Sequence, residues 1–155
     1  MSQVVTDRIE KEIVIKAPRS RVWRAIAEPL EFGAWFRVDM SGVEFRAGQP
    51  VQGKMTYPGY EGMPFEMEID RIEPEHHFSF RWHPYAIDPN VDVSAEPMTL
   101  VEFKLEEVGE STRLTITESG FDAIPLARRA EAFRMNEGGW EEQIHNIEAY
   151  VAGHS

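Results

Sequence analysis

The chain has 155 residues, no cysteine, and 27 acidic against 16 basic side chains, a formal net charge of −11. Lack of cysteine excludes disulfides, thiol nucleophiles and thiolate metal sites, and makes a reducing, cytoplasmic compartment the expected one. The acidic balance repels phosphate backbones and anionic lipid, so neither nucleic acid nor a membrane surface is an expected partner.

An apolar share of 42% in a chain of this length predicts one globular domain over 1–155. The start, MSQVVTDRIEKEIVIK, holds no apolar run of signal-peptide length. Residues 8–16 alternate, with Ile9, Lys11, Ile13 and Ile15 on one side, and predict a half-buried strand. Pro18 suits a first helical turn, and the helix after it carries Val22, Trp23 and Ile26. Pro29 opens a second short helix with Phe32, Trp35 and Phe36. Strands are predicted near 38–45 and 50–57, with Ala47-Gly48-Gln49 as the turn between them.

Residues 57–64, YPGYEGMP, are rich in turn formers and predict a link between strands. Phe65, Met67 and Ile69 then alternate with Glu66, Glu68 and Asp70, a strand with its charges outward. After a tight connection at Glu73-Pro74-Glu75 comes a strand with Phe78, Phe80 and Trp82 on one face and Ser79, Arg81 and His83 on the other. On that outer face Arg81 is expected to pair across strands with Glu102 or Glu66. Residues 84–97 contain three prolines and three acids and predict a long loop, a candidate lid. Two further strands pair through Gly109, with Val101, Phe103 and Leu105 on one and Leu114 and Ile116 on the other.

The last element is a long helix that Pro125 can begin. Its apolar stripe runs Leu126, Ala130, Phe133, Trp140, Ile144, Ile147, Val151. Gly138 and Gly139 interrupt it, at about 1 kcal/mol each relative to alanine. The pair therefore predicts close backbone approach or a bend, with a break between two shorter helices as the alternative. Burying Trp140 removes ~150–250 Å² from water, very roughly 4–6 kcal/mol at ~25 cal/mol per Å², which makes it the helix anchor. The order is strand, two short helices, about six antiparallel strands, one long helix. A curved sheet with one apolar face needs a cover, and that helix is the one element long enough, so the class is α+β.

The string VWRAIAEPLEFGAWF (22–36), the Phe80-Arg81-Trp82 run, the hairpin TLVEFKLEEVGESTRLTITESGF (99–121) and Gly139-Trp140 occur in this order. Together they resemble the activator of heat-shock protein 90 ATPase homologue-like family, within the START/Bet v-like (SRPBCC) superfamily, over nearly the whole chain. The resemblance implies a helix-grip fold: a bent antiparallel sheet of about 6–7 strands wrapped around the C-terminal helix, enclosing an apolar cavity. It does not select one activity, since such folds carry many.

No histidine pair among His76, His77, His83, His145 and His154 has metal-ligand spacing, and no Gly-rich phosphate loop follows a strand. No metal and no cofactor are expected, and the histidines read as solvent-facing. Two acids stand out. Glu118 shares the parity of Leu114 and Ile116, and Glu137 lies between Phe133 and Trp140 on the stripe. Either both point into the apolar space, as general acids or ligand contacts, or Glu118 ends its strand at the rim and Glu137 reaches water. Arg71, with the parity of Phe65, Met67 and Ile69, would neutralise one of them.

The expected ligand-binding set is Trp35, Met55, Tyr57, Met67, Phe80, Trp82, Phe103, Glu118, Phe133, Glu137 and Trp140. A well-filled core would use the same apolar members. Residues 57–64 and 84–97 would form the rim. The first functional expectation is a non-enzymatic domain holding a small hydrophobic molecule beneath the helix. Alternatives are a co-chaperone-like protein stimulating a heat-shock protein 90 ATPase, and a cyclase- or hydratase-type enzyme using Glu118 and Glu137. As a monomer or a homodimer, the chain could add an outward Val14 or Leu100 to a contact patch.

Overall fold

The computed structural model describes residues 8–83 and 97–153. Residues 1–7, 84–96 and 154–155 and the side chains of Leu126 and Ala127 lie outside the described residues. With them go nearly all of the predicted 84–97 rim, His154 and the first stripe residue.

Strand β1 (Arg8–Ile15) is followed by helices α1 (Arg19–Ala27) and α2 (Pro29–Phe36), then by β2 (Val38–Asp39), β3 (Pro50–Met55), β4 (Pro64–Glu73), β5 (His77–Trp82), β6 (Thr99–Val108) and β7 (Ser111–Ser119). A 3-10 turn at Phe121–Ala123 leads into α3 (Leu126–Gly153). The strands form one antiparallel sheet in the order β1-β7-β6-β5-β4-β3-β2. This is an α+β helix-grip architecture. No helix among the described residues is long and apolar enough to cross a membrane.

Alternation decides which face of each strand is buried. Phe65, Met67 and Ile69 of β4, Phe78 and Phe80 of β5, Val101 and Phe103 of β6, and Leu114 and Ile116 of β7 all turn inward and are buried. The helices supply the other half of the core. Phe32 of α2 lies edge-on to Phe80, Trp35 to Phe103, and Trp140 of α3 touches Phe36, Trp82 and Phe103 with ring centroids 5.6–6.2 Å apart. Rings at these separations are in packing contact, so aromatic side chains occupy the space between sheet and helix.

Several expectations are corrected. The strand predicted near 38–45 stops at Asp39, because the Asp39 carboxylate accepts hydrogen bonds from the Ser41 N–H (2.9 Å) and hydroxyl (2.6 Å) and turns the chain. Arg71 does not point inward. A bulge between Ile69 and Arg71 shifts the register, so Ile72 packs against the core while Arg71 is exposed, 3.4 Å from Glu73. Asp70 stays on the outer face, as alternation predicts, and takes Arg81 (2.7 Å) and Ser79 (2.9 Å), so Arg81 pairs with it in place of the expected Glu102 or Glu66. Glu102 instead faces His77, half-buried at 3.0 Å rather than open to solvent.

Helix α3 is unbroken through Gly138 and Gly139. A Cβ added at either glycine would meet nothing within 4 Å, so close backbone approach is not their reason. Close approach falls on two other glycines. A Cβ on Gly33 would stand 2.2 Å from the Val38 carbonyl oxygen, and one on Gly53 would stand 2.8 Å from that of Asp39. Those two bare positions let the end of α2 and the centre of β3 close on β2.

Candidate functional site

Three structural elements converge on one carboxylate. Strand β7 keeps its alternation to its end, so Glu118 follows Leu114 and Ile116 inward and is fully buried. Its neighbours in the ladder are Ile9 on β1 and Val101 on β6, both apolar. An acid in such surroundings is costly unless its oxygens are hydrogen-bonded. Oε1 accepts from the Trp140 indole (2.8 Å) and the Asn136 amide (2.9 Å) of α3. Oε2 accepts from the Trp82 indole of β5 (2.7 Å), the Thr99 hydroxyl of β6 (2.5 Å) and, at 3.1 Å, the same Asn136 amide.

All these donors are neutral. An indole N–H can only donate, so each oxygen faces one partner that holds it as an acceptor. The network ties α3 to β5, β6 and β7 at the middle of the sheet. Glu118 is therefore an orienting group: it directs the Asn136 NH₂ and both indoles inward, leaving their outer faces to whatever lies beyond.

What lies beyond is a cleft of about 100 Å³. Phe36, Trp82 and Trp140 give its aromatic walls, Met135 an exposed flexible edge, and Asn136, Gly139 and Gln143 the face of α3. Wider grooves lie elsewhere among the described residues. One, about 680 Å³, runs along Lys16, Trp23, Arg24 and Val151. It reaches Val151 and Ala152, near the end of α3. Another, about 450 Å³, is a polar hollow at Asp39, Gln52 and Lys54.

Of the residues expected to line a site, Trp82, Glu118 and Trp140 come together here. Trp35, Met67, Phe80 and Phe103 are core residues, and the Trp35 indole donates to the Ala25 carbonyl (2.7 Å), joining α2 to α1. Met55 packs half-buried at the end of β3, and Phe133 lies edge-on to Phe121 at 5.2 Å. Tyr57 and Glu137 are exposed and take no part. With Glu137 outside, the Glu118–Glu137 pair of the enzymatic alternative does not form. Among the described residues no cluster of His, Cys, Asp or Glu is arranged to hold a metal ion.

Phe36, Thr99, Asn136, Gly139 and Gln143 are additions that the sequence reading did not select for the site. The signal for Asn136 was present but ambiguous. It lies three residues after Phe133 and four before Trp140, while Glu137 lies four after and three before, and both spacings fit one helical face. The true buried row is Ala132, Trp140, Ile144, Ile147 and Val151, which places Asn136 inside and Glu137 out.

Comparison with known proteins agrees with this architecture. Protein MLL2253 from Mesorhizobium loti has a crystal structure that superposes with a TM-score of 0.74, at 21% identity, covering 96% of this chain and 98% of that one. A solution structure of a protein from Arthrobacter aurescens gives a TM-score of 0.77 at 20% identity, covering 99% and 90%. DynU16, described as a putative protein in the dynemicin biosynthetic locus, gives 0.69 at 22% identity; the match covers 94% of this chain and 47% of that one, so it spans about half of DynU16. At these identities the likeness is one of fold. No curated protein matches the sequence. The family model described as Activator of Hsp90 ATPase homolog 1-like protein matches residues 16–152, and this chain belongs to that family.

Proposed function

We propose that the protein is a binding domain for a small, ring-bearing hydrophobic molecule, held in the cleft between α3 and the end of β5. The carrying observation is the pair Trp82 and Trp140, 5.6 Å apart, whose indole N–H groups are both fixed by Glu118 while their rings border the cleft. Pre-set aromatic walls beside a few convergent polar groups are the usual composition of a ligand site. Rings fixed before the ligand arrives lose little freedom on binding it. Glu118, with both oxygens occupied and outside the cleft lining, serves as a support in this reading rather than as an acid or base.

The room available suits one ring rather than a large lipid. Beneath it, Phe78, Phe80 and Trp140 pack ring to ring around Phe103, with centroids 5.8–6.1 Å apart. The test is native mass spectrometry of gently purified protein, followed by thermal melts with single-ring aromatic compounds. A ligand held only by the native state at a hundredfold excess over its Kd adds about 2.7 kcal/mol, read as a rise in Tm. No mass adduct and no rise with any ring would overturn the reading. So would faster ATP turnover by a heat-shock protein 90 chaperone in the presence of a chain that leaves every ring unbound.

A further inference from the structure

Resting on the binding reading above, we infer that the cleft selects a flat single-ring ligand with a hydrogen-bond donor at one end and an acceptor at the other, and that Gly139 is the position left bare to admit it. Asn136 and Gln143 are the two polar side chains on the cleft. The Asn136 NH₂ is committed to both oxygens of Glu118 (2.9 and 3.1 Å). A carboxylate repels a carbonyl oxygen, so the amide cannot turn round, and its Oδ1 is the end left over. The Gln143 Oε1 accepts from Asn146 (3.0 Å), which leaves its Nε2 as a donor. Neither Oδ1 of Asn136 nor Nε2 of Gln143 has a partner among the described residues.

The two groups stand seven residues apart on α3, about 10 Å along the axis at 1.5 Å per residue. That separation suits a ring substituted at opposite ends, a donor towards Asn136 and an acceptor towards Gln143. Gly139 lies between them and lines the same cleft; Gly138 does not. A Cβ at Gly139 would meet nothing within 4 Å. Helix geometry therefore gains from a side chain there and packing does not forbid one. What a larger side chain would do is occupy the cleft.

The probe is 4-hydroxyacetophenone, a ring with a phenol donor and a ketone acceptor at opposite ends. Controls are 4-methoxyacetophenone, which lacks the donor, and 4-ethylphenol, which lacks the acceptor. Binding is followed through the indole N–H signals of Trp82 and Trp140 by NMR. The expected result is tenfold or greater weakening for each control. Gly139→Leu is expected to raise Tm and weaken 4-hydroxyacetophenone at least tenfold, while Gly138→Ala raises Tm and leaves its binding as in the wild type. Equal binding of the three compounds overturns the ligand class, and unchanged binding by Gly139→Leu overturns the role of Gly139; in both cases the binding reading stands. No binding by any of the three to the wild type overturns this inference, whereas the binding reading falls only if native mass spectra and melts with other rings are blank as well.

Discussion

Two acids hold α3 in place, one at its middle and one near its end, and they do so by different means. Glu118 is fully buried and accepts hydrogen bonds from neutral donors on three elements. Glu31 of α2 is partly open to solvent and meets a nearly buried cation: Arg21 of α1 donates to it at 2.8 Å and the Tyr150 hydroxyl of α3 at 3.2 Å, with the guanidinium 5.6 Å from the Tyr150 ring centroid. The first arrangement depends on direction, because every oxygen lone pair is aimed at a particular donor. The second depends on charge, so solvent and salt weaken it and imperfect geometry is tolerated. A helix locked rigidly beside the cleft and more loosely at its far end keeps the rings in register where a ligand would sit.

Substitutions should separate the two. The largest effect is expected for Trp140→Ala, about 3–5 kcal/mol of stability lost in urea denaturation, the range for emptying a packed aromatic site; a loss below about 1 kcal/mol would remove Trp140 as the anchor. Next comes Glu118→Gln, nearly the same shape. Its NH₂ must confront a group that can only donate, and the expected loss is about 2–3 kcal/mol, unchanged between low and high salt. Glu31→Gln should cost less, about 1–2 kcal/mol, between the limits for exposed and buried pairs, and the cost should shrink as salt is added. If the two substitutions respond alike to salt, the distinction between the sites fails.

The smallest effect concerns pH. Burial, and then the negative charge of Glu31, raise the Tyr150 phenol above its ordinary value. The unfolded chain then releases that proton first, near pH of about 10, while the folded chain retains it. Stability from this source is complete below that pH and is lost as pH climbs through the raised value. Thermal melts across this window should show a shallower decline for Tyr150→Phe than for the wild type.

Much of this was legible in the sequence, for definite reasons. Period-two alternation placed the inward residues of β4, β5, β6 and β7; it offered the inward position of Glu118 too, but left a place at the sheet rim open, since an acid at a strand end fits either. The long helix and its anchor followed from the spacing around Trp140. What escaped were features that a one-residue shift decides. The bulge beside Asp70 reverses the side on which Arg71 falls, and nothing in that stretch announces it. Asn136 and Glu137 fit the helical stripe equally well until packing chooses between them. The glycines mislead in the same way. A pair inside a helix is conspicuous because it offends propensity, yet Gly33 and Gly53, each inconspicuous, are the two that another chain segment presses against.

The position of β1 beside β7 carries a consequence for how the molecule is made. Arg8 lies opposite Ser119 and Ile15 opposite Thr112, so β1 has no ladder neighbour among the described strands until β7, about a hundred residues later, has been made. Contacts so remote in sequence delay folding. A nascent chain halted before residue 111 would leave the β7-facing edge of β1 unpaired.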